Sequence, residues 1–140
     1  MKAILSTILL CWSFLDKCPE PQRFACLDRP QQCYELGADA LRTGQDPAVL
    51  LAVACHEAKF CSDAIGRAGE RSTLQVLPKN CPGCSDLEFR NRGVEMLDRL
   101  TTRHGLFEGL CHYHDGTTCK DRTYPAKILA LIRSTAIAFR

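Results

Sequence analysis

The sequence predicts a mainly α-helical domain stapled by disulfides, and three observations lead to it. Apolar residues recur at helical spacing in several stretches, whereas period-2 alternation is scarce. Hydrophobic residues make up 46% of the 140-residue chain and charged ones 24%, the balance of a packed globule and not of a disordered chain. Ten cysteines are spread over most of that length: Cys11, Cys18, Cys26, Cys33, Cys55, Cys61, Cys81, Cys84, Cys111 and Cys119. Cytosol keeps thiols reduced, so this density reads as a disulfide framework of an exported protein in an oxidising place. The spacing leaves the pairing open.

The first element follows a basic start, Met1-Lys2, and is an apolar run over residues 3–15 broken by Ser6, Thr7 and Ser13. It is too short for a stable membrane span. It reads either as an export leader without a small-x-small cleavage pair or as an amphipathic helix. In the second case Ile4, Leu5, Ile8, Leu9, Trp12 and Leu15 share the buried face. Residues 16–33 form a Pro- and Cys-rich connection, stiffest at Cys18-Pro19-Glu20-Pro21, so 1–33 stand apart from a main domain at 34–140.

A short helix is expected over 34–42, stopped by Gly44. Asp46-Pro47 is a strong helix start, because the aspartate caps free amides and proline fits the first turn. The helix it opens carries Val49, Leu50, Leu51, Val53 and Ala54, and a helix this apolar is buried on most sides. Residues 61–86 hold Gly66, Gly69, Pro78, Pro82 and Gly83, a loop-rich segment anchored by Leu74, Val76 and Leu77. Asp86 is expected to cap a helix with Phe89, Gly93, Met96, Leu97 and Leu100 along one side. Arg90, Arg92, Arg99 and Arg103 then form its solvated face, one that an anionic polymer would also meet. A further helix covers 106–113, ending near Asp115-Gly116, and an apolar helix over 124–137 closes the chain.

Eighteen Lys and Arg against 16 Asp and Glu give a net charge of +2. That is too mild to indicate a nucleic-acid partner, although it suits an anionic polymer. Glu57 lies near the end of the most apolar helix. Burial penalises its ionised form, and the negative helix end penalises it further. A glutamate kept protonated near neutral pH can protonate the leaving oxygen of a glycosidic bond. The competing reading has Glu57 in solvent or paired with Lys59 or Arg67.

The run after Glu57 decides between these. Glu57, Phe60, Ala64, Gly69, Gln75, Val76 and Pro78 fall, without a gap, at the spacing of a glycan-cleaving signature. Gly93 with Met96-Leu97, then His112-Tyr113-His114-Asp115-Gly116, then Thr123-Tyr124 with Lys127-Ile128, follow in order. Over about residues 46–135 the chain resembles the soluble lytic transglycosylase family of the lysozyme-like superfamily. The resemblance implies a lysozyme-like helical domain with a loop-rich substrate groove. Its partner would be peptidoglycan glycan strands, cut between N-acetylmuramic acid and N-acetylglucosamine without a cofactor or metal. It assigns Glu57 the acid and then base role, closing a 1,6-anhydro ring on the muramic acid.

By the same resemblance Gln75 and Leu77 line the sugar groove with Gly66, His114 and Tyr124, and Tyr113 sets its hydroxyl near the carboxylate. Ala58 stands where the family usually has serine, and Gly66 where it commonly has a substrate-contacting serine. His114 replaces an asparagine, and Asp121 lies one residue out of register with an expected glutamate. The family's setting is the periplasm or cell envelope, or a phage virion, with a larger virion or envelope assembly as partner.

Alternatives stay open on the same residues. Asp63, Glu70 or Asp115 would be the water-activating base of a simple hydrolytic muramidase. A non-catalytic wall binder on the same fold would keep the groove and not the chemistry. Cys81 and Cys84 have zinc-ligand spacing, and Cys111, His112, His114 and Cys119 would complete a site, but a second CxxC is missing. His56-Glu57 is not a zinc-protease helix, since Phe60 stands where its second histidine belongs. The extra cysteines are expected to pin the 61–84 and 111–119 loops.

Overall fold

Residues 1–18 and 26–137 are described in the computed structural model. Among them run six α-helices: α1 (Lys2–Lys17), α2 (Arg29–Thr43), α3 (Pro47–Ala58), α4 (Asp86–His104), α5 (Leu106–Asp115) and α6 (Thr123–Ile137). Two single 3-10 turns, Pro78–Asn80 and Gly116–Thr118, complete the regular structure. The described residues contain no strand, only isolated bridges from Ile65 to Arg71 and from Arg71 to Val76. No described helix is long and apolar enough to cross a membrane.

Helix α3 is the centre. The Asp46 carboxylate accepts the Ala48 N–H at 2.9 Å, and Pro47 fills the first turn. Every residue from Leu50 to Cys55 is buried, with α1, α2 and α6 packed around it. Each buried leucine there contributes about 1.5–3 kcal/mol of hydrophobic stabilisation. Helices α4 and α5 pack on one another, and α5 meets α6.

Helix α2 starts at Arg29, earlier than the sequence suggests, because Pro30 suits its first turn. Residues 29–33 therefore leave the connection, and the 33/34 boundary falls inside a helix. Pro19, Glu20 and Pro21 lie outside the described residues. Gly44 ends α2 as expected. The cap of α4 is Ser85 and not Asp86. Ser85 Oγ accepts the Glu88 N–H at 3.2 Å while the Glu88 carboxylate accepts the Ser85 N–H at 3.1 Å, a reciprocal pair that Asp86 does not supply.

Two expectations about faces are corrected. Helix α1 buries Thr7, Cys11 and Phe14, while Ile4, Leu5, Leu9 and Trp12 are exposed. Disulfides choose that side, since Cys11 joins Cys33 of α2 and Cys18 joins Cys55 of α3. Arg90 is not on a solvated face. It is 6% exposed, and its guanidinium bridges from α4 to the Gln32 amide oxygen at 3.0 Å and to the Glu35 carboxylate of α2. That pairing holds Glu35 below the usual carboxylate range.

All ten cysteines are paired. The other bridges are Cys26–Cys61, Cys81–Cys84 and Cys111–Cys119, with Cα–Cα separations of 5.7, 5.6 and 5.2 Å. The thiolates that a shared zinc ion would need are thereby consumed. Cys26 ties down the start of the 61–84 loop, Cys81–Cys84 closes only a local turn at its end, and the 111–119 segment is closed on itself.

Candidate active site

Glu57 stands in the last turn of α3, where the chain has to reverse. Lys59 and Phe60 take left-handed backbone angles, φ 53° and 64°. The Phe60 N–H caps the Ala54 carbonyl at 3.3 Å, and the Phe60 ring is fully buried. Burying that ring offsets the strain of two non-glycine residues in this region. Arg29 Nε donates to the Lys59 carbonyl at 2.8 Å and fixes the exit.

The loop then folds back over Glu57. The Ser72 N–H donates to the Ala64 carbonyl at 2.9 Å, and the Gly66 N–H to the Glu70 carbonyl at 2.8 Å. Gln75, at φ 51°, closes the turn by donating its amide to the Ser72 and Ala64 carbonyls at 2.8 and 3.2 Å. Leu74 is buried against α4 at Gly93, where an added Cβ would stand 2.7 Å from the Leu74 Cβ. Only glycine admits that approach. From α5, the Tyr113 hydroxyl donates to the Leu74 carbonyl at 2.6 Å.

These elements enclose a cavity of about 290 Å³. Glu57, Gly66, Gln75, Leu77, Tyr113 and His114 all line it, along with Arg67, Glu70, Asn80 and Met96. Tyr124 does not. It is buried behind the carboxylate, its ring stacked on His114 at 4.3 Å and met edge-on by His56 at 5.3 Å. The Tyr113 hydroxyl donates to a backbone carbonyl, and both it and the Tyr124 hydroxyl lie close enough to Glu57 to feel its charge. The Tyr124 hydroxyl interacts with that carboxyl but makes no hydrogen bond of standard geometry.

Burial raises the Glu57 pKa above the ordinary carboxylate value. The Tyr124 hydroxyl and the His114 imidazole pull the other way, while the charge of Glu70 adds to the rise. Burial likewise pushes both tyrosine hydroxyls up, with the Glu57 charge adding to it. No ion pair engages Glu57 among the described residues, so pairing with Lys59 or Arg67 is absent there.

Among the three acidic residues weighed as a second base, geometry separates Glu70. Its Oε2 accepts the Ala68 N–H at 3.0 Å and occupies the space beside Gly66. Asp63 is exposed and lines no part of this cavity. The Asp115 carboxylate is engaged by the backbone amides of Lys120 and Asp121. Met96 and Asn80 are wall residues that the sequence does not mark as such. Met96 belongs to the apolar stripe of α4, and its spacing does not distinguish the core from a cavity wall.

Glu108, His112 and Cys119 bring three ligand-type atoms within 4.8 Å of one another. Cys119 is already bonded to Cys111, and the Glu108 carboxylate is paired with Arg122, so that donor set does not fit a metal ion. Comparison of the chain with protein-family models, with curated proteins and with solved structures finds no match.

Proposed function

We propose that the chain is a peptidoglycan lytic transglycosylase that cuts the β-1,4 bond between N-acetylmuramic acid and N-acetylglucosamine, with Glu57 as general acid and base. The observation that carries the reading is a carboxyl group at a buried helix end, facing a cavity, with its pKa raised by burial. Protonated Glu57 donates to the glycosidic oxygen as the C1–O bond breaks, and the neighbouring acetamide takes up the charge at C1. The carboxylate left behind removes the proton of the muramic acid 6-hydroxyl, whose oxygen closes on C1. One residue serves both steps, so no second carboxylate is required. The Tyr124 hydroxyl faces the charge that Glu57 acquires between them. Gln75, Leu77 and the Tyr113 ring form the wall against which the sugar is held.

Mass spectrometry of products released from purified sacculi tests this. Anhydro-ended fragments are expected, and the Glu57→Gln variant should lower their release by at least about 10³-fold while still sedimenting with sacculi. Sedimentation without any product from the native chain would leave a wall binder.

A hydrolytic muramidase is the second reading, and Glu70 favours it. A second carboxylate in the same cavity is what a water-activating base requires. Reducing-end products that disappear in a Glu70→Gln variant would select it. Five disulfides suggest an oxidising, exported compartment. Within that, we place the protein in the periplasm or envelope, with a phage virion as the alternative, in either case as part of a larger assembly.

A further inference from the structure

A second cavity, of about 750 Å³, adjoins the first and shares Leu77, Asn80, Met96, Tyr113 and His114 with it. Its other walls differ in charge. Helix α4 contributes Arg99, Arg103 and His104, α5 contributes His112, and Lys79 comes from the 3-10 turn. Met96, Arg99 and Arg103 follow at helical spacing, so one face of α4 runs from the first cavity into the second.

These cations are unlike the others on the same helix. Arg90 and Arg92 are paired with Glu35 and Glu95. Arg99, Arg103 and Lys79 have no acidic partner among the described residues. The acidic side chain on this wall is Asp115, and its carboxylate is occupied by the Lys120 and Asp121 amides and the Thr118 hydroxyl. The His104 and His112 rings meet at a tilt of 33°, their centroids 4.3 Å apart, and His112 Nδ1 lies 2.7 Å from the Gly116 carbonyl oxygen. The first cavity thus sets the carboxyls Glu57 and Glu70 beside Arg67, whereas the charged side chains of the second are mostly cations without an acidic partner.

A glycan strand lying across Glu57 extends beyond a 290 Å³ cavity, and what it carries next is chemically distinctive. Peptide stems on muramic acid bear free carboxylates, which an array of unpaired guanidinium and ammonium groups attracts. We propose that the second cavity holds the carboxylate-bearing peptide stem of the strand cut at Glu57, making the protein selective for peptide-substituted strands over bare ones. This rests on the peptidoglycan reading above.

Equilibrium binding of the Glu57→Gln protein to soluble glycan strands tests it, with stems intact or removed by an amidase. The intact strands should bind about fivefold more tightly at low salt, and the difference should fade as salt rises. Adding Arg99→Gln and Arg103→Gln should bring the two affinities together. Lys17→Gln with Arg133→Gln, an equal loss of charge away from both cavities, should preserve the difference. All four side chains are exposed, so folding is retained, and circular dichroism verifies it. Equal affinity for the two strands, or a preference that survives loss of Arg99 and Arg103, overturns the proposal. Cleavage by the native chain is read separately. If neither strand is cut, the catalytic reading fails, and the binding preference still decides this one.

Discussion

Glu57 carries a stability cost that its surroundings set. Its pKa in the folded chain lies above the ordinary value of 4.5, so folding favours the protonated form. The penalty is absent at pH below the unfolded value and grows as pH rises from there through the folded value. Glu57→Gln should therefore raise the melting temperature by roughly 2–4 °C at pH 7 and change it little near pH 4, as read by thermal melts. Cleavage should decline in the opposite sense, falling as pH climbs past the folded value and the donor loses its proton.

Gly66 offers a second test in the same cavity. A Cβ there would stand 2.2 Å from Glu70 Oε2 and 2.7 Å from Gln75 Oε1, both of them ends of flexible side chains. Gly66→Ala should leave stability within about 1 kcal/mol, because those ends can swing away. It should lower product release from sacculi about tenfold, since Glu70 and Gln75 lose their places. Six of the seven expected site residues line one cavity because they lie on a single loop or on α3 and α5. That Tyr124 sits behind Glu57 and not in the cavity wall depends on how α6 returns past α3, and local spacing does not encode that.

Helix α3 was the most legible element, since Asp46-Pro47 and an unbroken apolar run leave few other conformations. Helix α1 was not. It has more apolar residues than the core accepts, and two cysteines with partners far along the chain select the buried side. Arg90 was hidden for a related reason, as its partners Gln32 and Glu35 lie on another helix. The contact of the 59–85 loop with α4 is sharper than composition suggests, because Leu74 closes onto Gly93. Gly93→Ala should destabilise the fold by about 1–3 kcal/mol in denaturant titrations. It should also reduce cleavage, because the Leu74 carbonyl that anchors the Tyr113 hydroxyl has to move.

Across the whole molecule, the bridges differ greatly in what they constrain. Cys18–Cys55 closes 37 residues and Cys81–Cys84 only 3. In the chain-entropy account, replacing the first pair with serine costs roughly 4 kcal/mol and replacing the second roughly 1.5 kcal/mol. Chemical denaturation of the two double-serine proteins checks the ranking, and equal losses would point to native-state strain or residual unfolded structure instead.

The pairing pattern has one more consequence. Three cross-links lie wholly within residues 11–61, and the remaining two are local, at 81–84 and 111–119. No covalent strap joins the front half of the chain to the back half, yet Glu57 comes from the front, and Met96, Tyr113 and His114 come from the back. The cleft is a seam that packing, hydrogen bonds and the Arg90–Glu35 ion pair hold together without a disulfide. A single tryptic nick after exposed Arg67, followed by denaturant without reductant, should let the protein fall into two separate pieces on a gel.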